Sequence, residues 1–206
     1  MKVSTSILSC KNFDKVVDML TFTNTDYIHL DFIDNTYVKG IKIPFRKIKR
    51  LKSYKRYDAH LMTSKVKKWI KKFATLNCEY ITFHIEVTKD VDKYLDLIHS
   101  FNIKAGLAIS PDTDIKLLEP YLDKVDLILV MSVYPGYGGQ AFIPETEERV
   151  KEVKRLVDKR NITISVDGGI NDETIDKVKK SVDMVVSGSY ITSSKEYAEK
   201  IDSLKK

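Results

Sequence analysis

The feature that most constrains the fold is a regular alternation along the whole chain. Short runs rich in β-branched and aromatic residues recur about every 25 residues, and longer charged stretches with helical periodicity separate them. Such runs predict strands, and the stretches between them predict helices. The predicted strands are residues 3–8, 27–32, 57–61, 80–85, 104–109, 127–133, 163–167 and 184–187. The helix candidates include residues 13–23, 65–76, 91–101, 145–158 and 174–180.

Eight strands that alternate with helical stretches fit either a doubly wound sheet or a (β/α)₈ barrel. The strand count favours the barrel, which closes with eight strands. A length of 206 residues suits a barrel with little decoration, since about 200 residues is near the lower bound for this fold. No linker-like segment marks a boundary. We therefore predict an α/β protein that forms a single (β/α)₈ TIM-barrel domain over residues 1–206.

Composition excludes several other classes of protein. A hydrophobic fraction of 43% is enough to form a core, which argues against disorder. No stretch approaches the roughly 20 apolar residues that span a bilayer, and residues 1–8 lack the charged region of a signal peptide. Two cysteines, Cys10 and Cys78, are too few for a disulfide framework. We expect a cytoplasmic protein with no membrane partner.

The net charge of +6 is unevenly distributed. Between Lys39 and Lys72 there are fourteen lysines and arginines but a single acidic residue, Asp58. Such a basic strip is compatible with nucleic-acid binding. Charge runs are more often the solvated faces of helices. We therefore predict two solvated helix faces flanking the third strand, and no nucleic-acid partner.

Polar residues at the predicted strand ends are the first sign of a functional site. His29 and Asp31 are two residues apart on the second strand and so share a face. His60 ends the third predicted strand, and Asp167 ends the seventh. A single strand histidine is usually a satisfied core residue, but four such groups would converge at the mouth where barrel enzymes place their chemistry. This mixed nitrogen and oxygen set suits Zn, Fe(II), Mn or Co.

The remaining histidines are weaker candidates. His84 ends the fourth predicted strand, so we expect it to line the mouth of the barrel. His99 lies in a helical stretch, and we expect it to be exposed.

Glycine-containing segments follow two of the late strands. Residues 135–140 read Pro-Gly-Tyr-Gly-Gly-Gln after the sixth strand, and Gly188-Ser189 follows the eighth. Amides that lack Cβ crowding can approach an anion, and the late loops of a barrel commonly hold phosphate. A glycine-rich turn by itself is often only a turn, so both interpretations stay open.

A series of short motifs runs in order from the first strand to the eighth. They are Ser6-Ile7-Leu8-Ser9, His29-Leu30-Asp31, His60-Leu61-Met62, Met131-Ser132-Val133 through Gly139-Gln140, Phe142-Ile143-Pro144, Val166-Asp167-Gly168-Gly169-Ile170-Asn171 and Gly188-Ser189. Together these motifs resemble the ribulose-phosphate 3-epimerase family over nearly the whole chain.

The resemblance implies a homo-oligomeric barrel of the ribulose-phosphate-binding type with one divalent metal. It implies interconversion of D-ribulose 5-phosphate and D-xylulose 5-phosphate, a step of the pentose phosphate pathway, through a cis-enediolate. The implied metal ligands are His29, Asp31, His60 and Asp167, and the two aspartates are the implied acid/base pair. The implied contacts of the sugar phosphate are Ser6, His60, Gly136, Tyr137, Gly138, Gly139, Gly168, Gly169, Gly188 and Ser189.

Three positions depart from the family pattern. Ile33 stands where the family usually has Met, Val38-Lys39-Gly40 replaces Val-Pro-Asn, and Tyr134 replaces the Asn before Pro135. These changes leave the implied metal ligands intact but concern the lid over the substrate.

Three alternatives follow from these observations. The lid departures keep open a hexulose phosphate substrate, as in D-allulose 6-phosphate 3-epimerase. Aldol or decarboxylation chemistry is disfavoured because no lysine stands inside the matched strand-end motifs. A non-catalytic barrel that binds nucleic acid through the basic strip is disfavoured because four buried polar groups would then serve no purpose.

Overall fold

The computed structural model describes all 206 residues and contains a closed barrel of eight parallel strands in sequence order. The strands are β1 Lys2–Ser6, β2 Tyr27–Ile33, β3 Tyr57–Met62, β4 Cys78–His84, β5 Lys104–Ile109, β6 Leu127–Met131, β7 Thr163–Asp167 and β8 Met184–Ser187. The helices are α1 Phe13–Thr21, α2 Phe45–Ile48, α3 Val66–Phe73, α4 Val91–His99, α5 Thr146–Val157, α6 Ile175–Val178, α7 Ser189–Thr192 and α8 Tyr197–Lys205. The predicted (β/α)₈ fold is confirmed.

Several element ends differ from the prediction for local reasons. β1 ends at Ser6 rather than at residue 8, because the chain turns there and the Cys10 amide donates to the Ile7 carbonyl at 3.0 Å. β3 continues to Met62, so His60 lies two residues inside the strand and not at its end. The β5–β6 connection holds only a 3₁₀ helix, Ile115–Tyr121, which contains a proline that has no amide hydrogen to donate.

Alternation along each strand separates two apolar cores. Outward-facing residues such as Ile28, Leu30 and Phe32 pack against the helices, and the Phe32 ring lies 4.0 Å from that of Trp69 on α3. A smaller apolar cluster, which includes Tyr27, fills the barrel interior. On β2, His29 and Asp31 alternate with the outward-facing residues and face this interior, as the period-two spacing predicts.

Three aspartates fasten the amino-terminal end of the barrel. Asp26, Asp126 and Asp183 each immediately precede a strand, and each accepts a hydrogen bond from a backbone amide of a neighbouring strand at 2.7–2.9 Å. The amide of each aspartate also donates to the carbonyl of that same neighbouring residue at 2.8 Å. This end of the barrel is therefore closed by structural contacts, which leaves the opposite end for chemistry.

The basic strip lies on the outer surface, on the solvent faces of α2, α3 and the adjoining loops. On α3 the ammonium groups of Lys68 and Lys72 lie 5.1 and 4.8 Å from the centre of the Trp69 ring. The predicted solvated helix faces are confirmed, whereas the expected lack of a nucleic-acid partner stays a prediction. None of the helices has the length and apolar character that crossing a bilayer requires.

Candidate active site

Four metal-ligating side chains meet just inside the carboxyl-terminal mouth of the barrel. One donor atom from each of His29, Asp31, His60 and Asp167 lies within 4.8 Å of the other three. The β2–β3 register places Asp31 beside His60, and their Oδ1 and Nδ1 atoms are 3.2 Å apart. Asp167 approaches from β7, with Oδ2 3.8 Å from His29 Nε2 and 3.7 Å from His60 Nδ1. The structure therefore brings together all four residues that the sequence singled out.

The donor set fits a divalent cation. His29 Nε2 is buried and has no hydrogen-bond partner, although buried polar atoms almost always have one. It lies 3.3 Å from Asp31 Oδ1 and so faces the shared space between the carboxylates. Two imidazole nitrogens and two carboxylate oxygens match the ligands of Zn, Fe(II), Mn or Co. A metal ion held by these four residues would give His29 Nε2 a partner and neutralise the negative charge of the two carboxylates.

A third buried carboxylate, Asp58 on β3, supports this cluster and was missed in the sequence. Its Oδ2 accepts a hydrogen bond from Ser4 Oγ at 2.8 Å and lies 2.8 Å from His29 Nδ1. That contact places the proton of a neutral His29 on Nδ1 and leaves Nε2 free to bind a metal. Asp58 lies two residues before His60, so the period-two argument that paired His29 with Asp31 would also have found it.

The pKa shifts separate the two carboxyl groups at the mouth. Burial raises the pKa of Asp167, and the negative charge of Asp31 adds to that rise. Burial would also raise the pKa of Asp31, but His29 and His60 outweigh it and hold that pKa well below its usual range. Burial would lower the pKa of His29, yet Asp31 and Asp58 carry it well above its usual value. Opposite shifts in two adjacent carboxyls are typical of an acid/base pair.

His84 ends β4 beside the cluster, and Glu86 follows it in the 3₁₀ helix Ile85–Val87, so both lie at the carboxyl-terminal end of the barrel. His84 is therefore at the predicted end of its strand, but it is fully buried against His60 and does not line the cavity. Burial lowers the pKa of His84 to about 4, even though Glu86 opposes that shift. His99 is only half-exposed, and its Nε2 lies 2.7 Å from Asp126 Oδ2 on the outer surface.

A cavity of about 560 Å³ opens above the cluster. Asp31, Asp167 and Ser6 line it, and Ser6 Oγ donates to Asp31 Oδ2 at 2.7 Å. The cavity is also lined by every other residue predicted to contact substrate except His60: Gly136, Tyr137, Gly138, Gly139, Gly168, Gly169, Gly188 and Ser189. His60 is fully buried below the cavity. The contacts of these residues with a substrate stay predictions.

Unpaired backbone amides line one side of this cavity. The N–H groups of its six glycines, Gly136, Gly138, Gly139, Gly168, Gly169 and Gly188, donate no hydrogen bond within the chain. Unpaired donors of this kind can bind an anion where they point into a concavity. The backbone also requires glycine at positions 168 and 169, because both residues have positive φ. A Cβ on Gly168 would lie 2.4 Å from Val133, and a Cβ on Gly169 would lie 2.6 Å from Phe142.

The segment that departs from the family pattern contacts the glycine-rich loop. The Ile41 amide donates to the Gly136 carbonyl at 3.1 Å, and a Cβ on Gly40 would lie 2.0 Å from that same oxygen. Tyr134 is exposed and its hydroxyl donates to Asp112 at 2.9 Å. Ile33 is buried and does not line the cavity. The departures therefore lie outside the four-ligand cluster, and the segment at Gly40 packs directly on the glycine-rich loop.

Asp58→Asn is expected to lower the free energy of unfolding by about 1–3 kcal/mol, because the buried charged acceptor of two hydrogen bonds is lost. It should also weaken metal binding by roughly 10–100-fold, since the carboxylate orients His29. Urea denaturation and competition with a chromophoric chelator measure the two effects. Asp183→Asn, at the opposite end of the barrel, is the matched control and should change stability alone. Unaltered metal affinity in Asp58→Asn would contradict the assigned role.

The polar cluster and the open cavity lie together at the carboxyl-terminal mouth of a closed barrel, which defines the protein as a (β/α)₈-barrel enzyme. The sequence model described as the ribulose-phosphate 3 epimerase family matches residues 2–192. The chain belongs to the ribulose-phosphate 3-epimerase family, a family of isomerases, and the prediction of an enzyme of this family is confirmed.

Two curated relatives illustrate the similarity. The chain is 41% identical to the ribulose-phosphate 3-epimerase of Buchnera aphidicola subsp. Baizongia pistaciae, over 95% of this chain and 90% of that protein. It is 38% identical to the ribulose-phosphate 3-epimerase of Escherichia coli K12, over 87% of this chain and 83% of that protein.

Solved structures with low sequence identity share the fold. KGPDC from Streptococcus mutans superposes with a TM-score of 0.68 at 16% identity, covering 99% of this chain and 95% of that one. The tryptophan synthase A-subunit from Pyrococcus furiosus gives a TM-score of 0.71 at 13% identity, with 99% and 97% of the two chains covered. At these identities the similarity extends to the barrel alone.

Proposed function

We propose that this protein interconverts D-ribulose 5-phosphate and D-xylulose 5-phosphate by epimerisation at C3, as a step of the pentose phosphate pathway. The observation that carries the proposal is the convergence of two histidines and two aspartates within 4.8 Å, directly below a cavity that both aspartates line. Curated relatives named ribulose-phosphate 3-epimerase are 35–41% identical to the chain over most of its length.

His29, Asp31, His60 and Asp167 would hold one divalent metal. When bound there, the metal supplies Lewis-acid stabilisation of the negative charge that develops on the ketone oxygen of the substrate. Its identity among Zn, Fe(II), Mn and Co is a matter for metal analysis. The buried His29 and His60 side chains position donors, and the cavity-lining aspartates are free to move protons as well.

Asp31 and Asp167 form the proposed acid/base pair. One carboxylate removes the C3 proton, the electron pair of that C–H bond enters the C2–C3 bond, and the ketone oxygen gains negative charge. The other carboxyl group then returns a proton to the opposite face of the planar enediolate, which inverts C3. The opposite pKa shifts of the two groups support this assignment, because one favours the ionised and the other the protonated form. Each aspartate changes role with the direction of the reaction.

The glycine-lined side of the cavity is the proposed phosphate site. Its unpaired amides supply hydrogen-bond donors for phosphate oxygens, and Ser189 and Tyr137 lie on the same cavity wall. Binding of a part of the substrate that does not react orients the reacting carbon between the two carboxyl groups. We also propose that the protein forms a homo-oligomer, as the family resemblance implies.

A coupled assay should show higher kcat/KM for D-ribulose 5-phosphate than for D-allulose 6-phosphate. Metal analysis of the same sample should find about one divalent ion per chain, as four converging ligands predict. A preference for the hexulose phosphate would support epimerisation at C3 but contradict the proposed pentulose substrate. Absence of turnover with both sugars, in a sample with a full complement of metal, would contradict the proposal.

A further inference from the structure

A line of hydrogen-bonding groups leads from the metal cluster away from the cavity. His60 Nε2 lies 2.9 Å from His84 Nε2, and His84 Nδ1 lies 3.1 Å from Glu86 Oε2. Both imidazoles are fully buried, and their ring centres are 5.0 Å apart. The epimerisation chemistry uses neither His84 nor Glu86. Their alignment on the far side of a metal ligand therefore calls for a separate explanation.

The position of each proton along this line is determined by the acid at its end. Glu86 is held as an acceptor, because its Oε1 receives the Ser110 amide at 2.7 Å and the Thr113 hydroxyl. An acceptor at Oε2 requires a proton on His84 Nδ1, so the Nε2 atom of a neutral His84 carries a lone pair. His60 must then donate from Nε2, which leaves its Nδ1 lone pair facing the cluster.

The opposite arrangement is disfavoured at two points. A proton on His84 Nε2 would leave the lone pair of Nδ1 facing the Glu86 carboxylate, so two acceptors would oppose one another. It would also place the proton of a neutral His60 on Nδ1, where Asp31 Oδ1 accepts it at 3.2 Å in metal-free protein. A nitrogen protonated in this way cannot bind a metal, so this second point applies to the metal-loaded site.

We propose that Glu86, acting through His84, is a positioning residue that fixes the tautomer of His60 and directs its Nδ1 lone pair to the metal site. The inference rests on the proposed metal centre and deepens it. Asp58 has the equivalent role for His29, which it contacts directly and without an intervening histidine. The two imidazoles would thus bind a metal through different nitrogens, Nε2 of His29 and Nδ1 of His60, each selected by a carboxylate on the far side of the ring.

The tautomers are directly measurable in Zn²⁺-loaded protein. Imidazole ¹⁵N–¹H correlation spectra should show His60 protonated at Nε2 and His84 at Nδ1. Glu86→Gln adds an amide donor that can face His84 Nδ1, so it should shift His84 towards the opposite tautomer and remove the acceptor from His60 Nε2. The same variant should weaken Zn²⁺ and Co²⁺ binding by roughly 10–100-fold in chelator competition and alter the visible absorption of the Co²⁺ form.

Two further variants separate positioning from a merely structural role. His84→Gln offers an amide oxygen to His60 Nε2 and should retain more Co²⁺ affinity than His84→Leu, which offers no acceptor. His99→Gln is the matched control, because His99 also lies against an aspartate but on the outer surface. It should leave the His60 tautomer and metal affinity unchanged.

The possible outcomes distinguish this inference from the proposed function. A His84 ring protonated at Nε2 in Zn²⁺-loaded wild-type protein would overturn the positioning role. So would Glu86→Gln protein that folds and binds Co²⁺ as tightly as wild type. Wild-type protein that folds but binds neither Zn²⁺ nor Co²⁺ would count against the metal centre itself.

Discussion

Asp167→Asn is expected to reduce epimerisation by on the order of 10²–10⁴ in both directions, the usual contribution of a positioned acid or base. Asparagine preserves the shape of the side chain but cannot take up or release the proton. Inversion needs a group on each face of C3, so loss of either Asp31 or Asp167 should slow it in both directions. Turnover measured from each epimer, with deuterium incorporation at C3 in heavy water, tests this expectation.

The control for this prediction must account for the second role of Asp167 as a proposed metal ligand. Metal content of each sample is therefore measured, and activity is compared at equal occupancy. Asp176→Asn removes a carboxylate from an exposed pair with Lys179 and should leave turnover unchanged. Near-normal interconversion of the two epimers by metal-loaded Asp31→Asn or Asp167→Asn protein would rule out the two-carboxylate mechanism.

The sequence predicted the barrel and the four-ligand cluster because both depend on local periodicity. Alternation of two residues placed His29 and Asp31 on one face, and the order of the strands placed His60 and Asp167 at the same end. Closure of the barrel then brought distant strands together, as eight parallel strands predict. The resemblance to a family added the glycine-rich lining, and the structure places those glycines around the cavity.

The roles of the supporting residues were not predictable in the same way, although the same alternation places Asp58 on the interior face of β3. The role of Asp58 depends on its contacts with Ser4 on β1 and His29 on β2, and these contacts exist only across the barrel interior. His84 was expected to line the mouth, but it is buried against His60 and Glu86 and does not line the cavity. Which side of a ligand a neighbour occupies depends on strand register and depth, and neither is encoded in the spacing of motifs.

Removal of the metal is expected to lower activity by about a thousandfold or more. Lewis-acid stabilisation is worth several kcal/mol of barrier, and each 1.4 kcal/mol corresponds to a factor of about ten in rate. The buried aspartates should remain close together in metal-free protein because the barrel is held by its own core and strand hydrogen bonds. Dialysis against a strong chelator, followed by the coupled assay and elemental analysis, measures the loss.

Reconstitution distinguishes loss of the ion from loss of the fold. Zn²⁺, Mn²⁺ or Co²⁺ should restore activity, whereas Ca²⁺ should not, because the site offers two imidazoles and Ca²⁺ prefers an all-oxygen set. Metal at 100 times its Kd should also stabilise the fold by about 2.7 kcal/mol, visible as a higher Tm. Full activity in protein shown to be metal-free would remove the ion from the reaction, because the aspartates alone would then account for the catalysis.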